Sequence, residues 1–316
     1  MTRLVVSGAS GQFGRKAALG LMERVAPQDL ILVTRNPDSL AELRLRGADV
    51  RYGDFDEPKS LESAFAGGER LLLISTLSVG RRAEQHGRAI EAAKRAGVRH
   101  IAYTSTGGMH PDNPAIVVPD HRRTEEMLRA SGLAFTILRD SLYAEAALLQ
   151  ILPRAIAAGQ MRSASGEGKV PFVAKADCIA CAVEVLAGDG HEGRIYEITG
   201  PELLGMGDLC ALASEMTGRP VELVPITDAQ FDADLAAAGI PAEYEEGMEH
   251  PVIGTSSRKD ILSYEQGVRG GWFALLSGDV ERLTGRKPIS MREGFERHRD
   301  EILALAGLAA TAGAAA

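Results

Sequence analysis

The sequence has few cysteines, few aromatic residues and no excess of positive charge. Its 316 residues include three cysteines and one tryptophan, and aromatic residues make up 5% of the chain. Three cysteines in a chain of this length do not form a disulfide framework. Lys and Arg number 35 against 43 Asp and Glu, which gives a net charge of −8. This balance disfavours sequence-independent binding to nucleic acid, because such binding needs cations that neutralise phosphates.

Long apolar runs are also absent. No apolar stretch of ~18 residues occurs, so we expect no membrane-spanning segment. The segment Met1–Val6 leads directly into a predicted strand, without the apolar core and cleavage site of a secretion signal. We therefore expect a cytoplasmic protein. Hydrophobic residues still make up 45% of the chain, which is ordinary for a globular protein and excludes a disordered one.

Two of the cysteines, Cys178 and Cys181, form a C-x-x-C pair. They lie in a predicted helix that Asp177 would cap. A structural zinc site needs further Cys or His ligands, and the sequence suggests none. We therefore expect two small, buried helix residues and no metal centre.

The first half of the chain alternates apolar strands with amphipathic helices. Each connection is long enough for a right-handed crossover, so the pattern predicts an α/β fold with a doubly wound, mainly parallel sheet of the Rossmann type. The predicted strands are Leu4–Ser7, Leu30–Thr34, Val50–Tyr52, Arg70–Ser75, His100–Thr104 and Phe135–Arg139. The predicted helices are Gly11–Arg24, Ser39–Gly47, Pro58–Phe65, Arg81–Ala96 and Pro119–Ala130.

After Tyr143 this alternation stops. The predicted elements here are a helix at Ala144–Ala158, a glycine-rich loop or hairpin at Ser163–Phe172, a helix at Asp177–Leu186 and short strands at Arg194–Ile198 and Val221–Pro225. We therefore expect a dinucleotide-binding domain at residues 1–150 and a smaller C-terminal α+β substrate lobe at residues 151–316. Residues 176–200 are expected to pack back on the first domain. The alanine-rich tail, Leu308–Ala316, has nothing to bury and is predicted to fray.

A glycine-rich turn connects the first strand to the first helix. In it Gly8 permits a tight bend, Gly11 lets the backbone approach a pyrophosphate, and Gly14 allows the helix to pack closely on the strand. The unpaired N–H groups at the start of the helix attract phosphates. A plain glycine turn explains one of these glycines but not three. The predicted cofactor contacts in this turn are Gly8, Ser10, Gly11, Gln12, Phe13 and Gly14.

The residue that follows the second strand favours NADP(H) over NAD(H). A site that prefers NAD usually has Asp or Glu at this point, where the carboxylate binds the ribose 2′-hydroxyl. This chain has Arg35 instead. A guanidinium matches a 2′-phosphate through two hydrogen bonds. The alternative is a solvated surface arginine, which predicts that replacement of Arg35 leaves NADPH affinity unchanged.

Polar residues also follow the later strands. The carboxyl ends of parallel strands meet at one edge of the sheet, which is where ligands bind in open α/β folds. The end of the third strand is where adenine would bind, and the end of the fifth is where the nicotinamide ribose would lie. The predicted contacts are Asp54 and Phe55 after the third strand, Ser75 and Thr76 after the fourth, Thr104 and Ser105 in the fifth, and Asp140 after the sixth.

Several segments together resemble a known family. They are the GxxGxxG turn, Val33–Pro37, Leu72–Ser75, Gln85–His86 with Ala92–Val98, Ala102–Ser105, His121 with Thr124–Glu125, and Thr136–Arg139 leading to Tyr143–Glu145. In this combination the chain resembles the NmrA-like atypical short-chain dehydrogenases, and within them the bacterial NAD(P)H-dependent quinone oxidoreductases and triphenylmethane reductases. The resemblance covers roughly residues 1–225. It implies a Rossmann domain, NADPH, and a cleft beneath a small C-terminal lobe.

The chain departs from this family after the sixth strand. The family commonly carries Arg-Asn-Gly-x-Tyr-x-Glu-Asn there, and the corresponding run here is Arg139–Ala146. Asp140 replaces the first asparagine and Ala146 replaces the second. This segment should border the nicotinamide and the substrate, so the departure bears on the substrate and not on the fold or the cofactor.

The residues that could donate a proton are also unusual. Ordinary short-chain dehydrogenases use Tyr-x-x-x-Lys, and no such pair follows the fifth strand. The helix there carries His121 and Glu125 one turn apart, so Glu125 could orient the imidazole and raise its pKa for a proton relay, or the pair could only support the helix. Tyr143 offers a phenol at the same edge of the sheet, or it wedges between the lobes. The predicted catalytic residues are Tyr143, His121 and Glu125.

These features favour an NADPH-dependent reductase that transfers hydride to a conjugated or aromatic electrophile such as a quinone, an enone or a ketone. Two alternatives stay open. One is a regulatory protein that senses NAD(P) without turnover, and the other is an NADP-using isomerase, epimerase or lyase. We expect a small-molecule substrate and neither nucleic acid nor membrane as a partner, and a homodimer stays open.

Overall fold

The strands of the computed structural model, which describes residues 2–243 and 256–308, form two sheets. The strands are β1 Leu4–Ser7, β2 Leu30–Thr34, β3 Asp49–Tyr52, β4 Arg70–Leu73, β5 His100–Thr106, β6 Ala134–Asp140, β7 Gln160–Ser163, β8 Arg194–Ile198 and β9 Glu222–Pro225. The main sheet has the order β3-β2-β1-β4-β5-β6-β8, and each of its pairings is parallel. The strand order reverses on either side of β1, which opens a crevice at its carboxyl end.

The described residues form helices that cover the main sheet and the smaller C-terminal part. They are α1 Gln12–Leu21, α2 Ala41–Leu45, α3 Pro58–Phe65, α4 Arg82–Arg95, α5 Val118–Ala130, α6 Ala144–Ala146, α7 Leu152–Ala158, α8 Lys175–Ala187, α9 Met206–Thr217, α10 Asp228–Ala237, α11 Arg258–Arg269, α12 Asp279–Thr284, α13 Met291–Arg297 and α14 Arg299–Leu305. Within the described residues, no helix has the length and apolar character needed to cross a membrane.

The apolar strands are buried on both sides. Leu71, Leu72 and Leu73 of β4 are fully buried, because alternate side chains point into cores on opposite faces of the sheet. On one face the core is closed by α1 and α8, and on the other by α3, α4 and α5. The predicted mainly parallel Rossmann sheet is therefore confirmed.

The second half of the chain contributes to both sheets. Strand β8 joins the main sheet beside β6, and α8 packs so closely on α1 that a Cβ on Gly20 would lie 3.1 Å from Val183 Cγ2. Strands β7 and β9 pair in parallel in a small separate sheet. A further apolar core, which includes Leu152, Phe273 and Phe295, lies around this sheet and α9. The predicted division of the chain at residue 150 stays a prediction.

Several details of the predicted elements need correction. Asp177 does not cap α8, which begins at Lys175 after Ala174, and its carboxylate accepts from Arg286 and from the N–H of Ile289 instead. The hairpin alternative for Ser163–Phe172 is wrong, because Ser163 ends β7 and β7 pairs with β9 and not with a neighbouring segment. The predicted helix Ala144–Ala158 is interrupted by a π turn at Ala147–Ile151. Pro153 follows this turn and lacks the N–H that would bond to the carbonyl four residues earlier. The missing hydrogen bond favours the wider turn. The tail predicted to fray lies, from residue 309 onward, outside the described residues.

Candidate cofactor and active site

The glycine turn leaves an open stretch of backbone at the start of α1. Gly8 has a φ of +62°, which favours glycine, and a Cβ on Gly14 would lie 2.3 Å from the Gly8 carbonyl oxygen. Gly8, Gly11 and Gln12 are exposed, and no side chain caps α1. The N–H groups of the first helical turn are therefore free to bind an anion.

The end of β2 lies beside this turn. The Thr34 hydroxyl donates to Ser10 Oγ at 2.7 Å and accepts from the backbone N–H of Asn36 at 3.1 Å, which joins the two loops. Arg35 is exposed, and within the described residues its guanidinium has no carboxylate partner. The nearby carboxylate of Asp38 lies 3.8 Å from Arg44 on α2. The structure thus leaves the Arg35 side chain available to a ligand.

The end of β3 is ordered by hydrogen bonds within its own loop. The Ser60 hydroxyl accepts from the backbone N–H of Asp54 at 2.9 Å, and the Asp54 carboxylate accepts from the N–H of Asp56 at 2.9 Å. Phe55 lies edge-on to His86, with their ring centroids 6.2 Å apart. Asp54 and Phe55 are both half-buried.

The ends of β4 and β5 bring the predicted hydroxyl residues together. Thr104 Oγ1 accepts from the Ser75 backbone N–H at 2.9 Å and donates to Ser75 Oγ at 3.4 Å. Thr76 instead bonds to α4, where His86 Nε2 accepts its N–H at 3.1 Å. Burial, with a smaller effect of Arg82, lowers the pKa of His86 to about 3, so this imidazole is a neutral acceptor that fixes the loop.

His121 lies in a buried network behind β5. Its Nε2 lies 3.1 Å from Arg82 Nη1, and its Nδ1 lies 2.7 Å from the Tyr103 hydroxyl oxygen. A guanidinium can only donate, so Nε2 accepts and Nδ1–H donates to Tyr103. Burial and the Arg82 charge hold the pKa of His121 well below its usual range, which keeps the imidazole neutral.

Glu125 has other partners. Its carboxylate accepts from Ser105 at 2.9 Å and from Arg139 at 2.9 and 2.7 Å, and it also pairs with Arg129. Burial alone would raise the pKa of Glu125, but the hydrogen bonds from Arg139 and Ser105 outweigh burial and lower it.

The predicted interaction between His121 and Glu125 is therefore wrong. The two residues share one face of α5, but arginines from neighbouring elements, Arg82 on α4 and Arg139 on β6, bind them separately. The pKa of His121 is lowered by burial and Arg82 and is not raised by Glu125. Their catalytic role stays a prediction. The Ser105 hydroxyl is turned toward Glu125, so the structure shows it bonded within the protein.

Asp140 and Tyr143 are brought together at the carboxyl end of β6. The Tyr143 hydroxyl donates to Asp140 Oδ2 at 3.1 Å. The Asp140 backbone carbonyl accepts from the N–H of Gly107 at 2.7 Å, which places the pair beside the end of β5. Tyr143 is half-buried and packs against the same apolar cluster as Phe13 of the glycine turn and Ile74 after β4. Tyr143 therefore shares an apolar core with two residues at the same edge of the sheet.

Sequence reasoning missed the third member of this group. Cys178 of α8 is fully buried, and its thiol faces Asp140 and lowers the pKa of that carboxyl group, against the effect of burial. The three-residue spacing of Asp140 and Tyr143 is visible in the sequence. Cys178, 38 positions after Asp140, carries no local signal, and only the packing of α8 on the sheet reveals it.

The cysteines are free and buried. Cys178, Cys181 and Cys210 form no disulfide, and the prediction that Cys178 and Cys181 are buried helix residues is confirmed. In residues 2–243 and 256–308, no three His, Cys, Asp or Glu side chains are placed to hold a metal ion.

Known proteins resemble this chain in sequence and in fold. Residues 8–154 match a family model described as NAD(P)H-binding. Quinone oxidoreductase 2 of Escherichia coli is 36% identical over 254 residues, which cover 80% of this chain and 88% of that protein.

Two solved structures resemble the whole fold. The NADPH-dependent quinone oxidoreductase of Escherichia coli in complex with NADPH has a TM-score of 0.84 and 32% identity, and covers 93% of this chain and 99% of its own. The triphenylmethane reductase of Citrobacter sp. in complex with NADP(H) has a TM-score of 0.82 and 27% identity over the same shares. The likeness thus extends past residue 225. The chain belongs to the NmrA-like family of NAD(P)H-binding oxidoreductases.

Proposed function

We propose that this chain uses NADPH to reduce a conjugated or aromatic electrophile such as a quinone, an enone or a ketone. The observation that carries the proposal is the exposed backbone turn from Gly8 to Gln12, with the unpaired guanidinium of Arg35 at the neighbouring strand end. The relatives support it, because both solved neighbours contain this cofactor and are named as reductases of quinones or triphenylmethane dyes.

The residues present fit NADP(H). The free N–H groups at the start of α1 suit the pyrophosphate, and the Cβ that Gly14 lacks would fill the space behind the turn. Arg35 suits the 2′-phosphate, so we propose a preference for NADPH over NADH. The hydroxyls of Ser75 and Thr104 and the half-buried Asp54 and Phe55 are proposed to contact the rest of the cofactor.

A flat apolar substrate is supported by the residues beside this edge. Val79 after β4, Met109 after β5 and Leu142 after β6 are all half-buried apolar side chains that pack on the core of the C-terminal part. They lie on the loops that follow the three strands nearest the proposed nicotinamide position. We propose that they contact one face of the substrate.

The protein would contribute orientation and exclusion of water. When bound, the cofactor supplies a hydride. A quinone can take its proton from solvent after reduction, whereas a ketone or an enone needs a donor in the site. Tyr143 is the proposed donor, because its half-buried phenol lies after β6, at the edge of the sheet where the cofactor is proposed to bind.

The experiment measures NADPH and NADH consumption by the purified chain against a panel of quinones, enones and ketones. We expect consumption of NADPH with at least one member of the panel, and faster turnover with NADPH than with NADH. Cofactor binding without turnover on any substrate would overturn the reductase and favour the sensor. Product formation without net NADPH loss would favour an isomerase, an epimerase or a lyase.

The cellular location and the assembly also belong to this proposal. We propose a cytoplasmic enzyme that acts on a small molecule, with a homodimer as the assembly to test. Light scattering of the purified chain at two concentrations distinguishes a monomer from a dimer.

A further inference from the structure

Asp140 is a buried carboxyl group, and none of the described residues places a cation beside it. Its side chain is 4% exposed, Oδ2 accepts from the Tyr143 hydroxyl, and Oδ1 is buried without a hydrogen-bond partner. A carboxylate in such a position is costly, because neither water nor a positive group stabilises its charge. A protonated carboxyl group avoids this cost.

Two other buried carboxylates in the described residues are paired with arginine. Asp177 bonds to Arg286 and to the backbone N–H of Ile289. Glu125 bonds to Arg139 and Arg129. Asp140 lies in the same kind of environment but has no arginine, so its contacts suit a neutral acid.

The groups that face Asp140 come from two elements. Tyr143 lies on the segment after β6, and the thiols of Cys178 and Cys181 lie on α8. Lys175 also lies on α8, but its ammonium is over the Tyr143 ring, 5.4 Å from the centroid. Further charges act on the Cys181 thiol, whose pKa Asp177 and Asp279 raise and Arg286 lowers.

Of Asp140, Tyr143 and Cys178, only Asp140 titrates near neutral pH. Burial raises its pKa to about 7, with hydrogen bonds from Tyr143 and Cys178 acting in the opposite direction. Burial also raises the pKa values of Tyr143 and Cys178 well above their usual ranges. Asp140 is therefore the group in this cluster that can hold a proton at neutral pH and also release it.

We propose that Asp140 supplies the proton that Tyr143 donates to the substrate oxygen, as a positioning residue that acts through the phenol. An asparagine, which the family commonly has at this position, has no acidic proton to supply. The inference rests on the proposed reductase function and deepens it. It assigns this chain a built-in acid for substrates such as ketones and enones, which need a proton on oxygen.

The proton moves in two transfers, and the reaction balances. NADPH, one proton and the oxidised substrate give NADP⁺ and the reduced substrate, so the hydride carries both electrons. The Tyr143 O–H bond breaks as an O–H bond forms on the substrate. The Asp140 O–H bond then breaks as the phenol regains its proton, and the carboxylate takes a proton from solvent. Rotation of the two hydroxyl hydrogens reverses the hydrogen bond seen between Tyr143 and Asp140.

The first test uses the protein without cofactor or substrate. Carbon-13 NMR of protein labelled at the aspartate carboxyl carbon follows each carboxyl group with pH, and Asp140→Asn identifies the Asp140 signal. We expect a midpoint near 7, against about 4 for an exposed aspartate. Tyr143→Phe should displace the Asp140 signal and provides the assignment if Asp140→Asn does not fold. A midpoint near 4 or below would overturn the inference.

The second test is the pH dependence of turnover with a ketone or an enone. The wild-type rate should be level below the pKa of Asp140 and fall tenfold per pH unit above it, because the acid form is then lost. Asp140→Asn should turn over more slowly than wild type at pH 6, and its rate should not fall above pH 7. The control is Asp300→Asn, at an exposed aspartate of α14, which should keep the wild-type pH profile.

Failure of the inference and failure of the reductase proposal are distinguishable. If the wild type consumes NADPH and Asp140→Asn shows the same rate and profile, Asp140 is not the proton source. If no substrate is reduced, the reductase proposal fails, and the inference fails with it. Tyr143→Phe adds an independent check, because it should remove the same fall with pH while leaving the Asp140 carboxyl in place.

Discussion

The glycine turn and the end of β6 lie at the same edge of the sheet but are built in opposite ways. Gly8, Ser10, Gly11 and Gln12 of the turn are exposed, and what the turn offers to a ligand is backbone N–H. The cluster of Asp140, Tyr143 and Cys178 is largely buried, and what it offers is a side-chain proton. Binding of a charged cofactor needs the first kind of surface, and storage of a proton at neutral pH needs the second.

This difference teaches where substitutions act. In the turn, the chemistry lies in the backbone, so only a change that moves the backbone removes it. In the buried cluster, the environment sets the charge, so a change of one atom alters the function while the backbone stays in place.

The largest effect is expected at Gly14. A Cβ here would lie 2.3 Å from a backbone oxygen of the turn, which cannot yield as a flexible side chain would. Gly14→Ala should reduce NADPH affinity at least 100-fold, measured by fluorescence titration. Gly278→Ala, where nothing lies within 4 Å of the added Cβ, is the control and should bind normally. Normal affinity in Gly14→Ala would mean that the turn does not hold the cofactor.

The next largest effect is on stability at Asp140. Its folded-state pKa of about 7 is above the value of about 4 in the unfolded chain. The stability that this group contributes is therefore complete below pH 4 and is lost as the pH rises to 7. Relative to Asp140→Asn, the wild type should lose about 1.4 kcal/mol of unfolding free energy per pH unit in that window. Urea unfolding at pH 5, 6 and 7 measures it, and parallel curves for the two proteins would contradict the raised pKa.

Substitution of Glu125 tests how much a buried carboxylate paired with arginine stabilises the fold. Glu125→Ala leaves the Arg139 guanidinium, whose side chain is 20% exposed, without its main partner. Loss of one member of a buried ion pair costs about 3 kcal/mol in unfolding free energy. Urea unfolding at pH 7 should show this loss. The control is Glu126→Ala, at the exposed next residue, which should cost less than about 0.5 kcal/mol. Equal losses would mean that the ion pair does not stabilise the fold.

Substitution of Arg35 tests whether its charge contributes to cofactor binding beside the glycine turn. Arg35→Gln should weaken NADPH binding about tenfold, which corresponds to about 1.4 kcal/mol, and leave NADH binding unchanged. Arg44→Gln, on α2 and beside Asp38, is the matched control and should alter neither affinity. Equal affinity of Arg35→Gln and wild type for NADPH would identify Arg35 as a solvated surface residue.

His121 should have the smallest effect on turnover. Its imidazole is buried and neutral, and its hydrogen bonds go to Arg82 and Tyr103. His121→Gln keeps a donor and an acceptor, so we expect kcat within about threefold of wild type and the same pH profile. A loss of 100-fold or more, with an altered profile, would restore the catalytic role predicted from sequence.

Most of the fold and the cofactor turn could be predicted from the sequence because their signals are local. Three glycines at fixed spacing, an apolar strand before them and a helix after them specify the turn without any distant contact. The Arg35 position is similarly local, since it follows a strand directly.

The contacts of His121, Glu125 and Asp140 could not be predicted in the same way. His121 and Glu125 are correctly placed on one face of a helix, but their partners come from α4 and β6 and compete successfully for them. The pKa of Asp140 depends on burial by α8, about 40 residues further along the chain. Spacing along one helix shows which residues share a face and does not show which neighbours reach them.

The most direct test of the central claim is turnover with NADPH and with NADH, for the wild type and Arg35→Gln on the same quinone. We expect the wild type to consume NADPH with a kcat/KM at least tenfold higher than with NADH, and Arg35→Gln to reduce this ratio to near one. Equal consumption of both cofactors by both proteins would contradict the proposed NADPH site, and absence of consumption with any quinone, enone or ketone would contradict the proposed reductase.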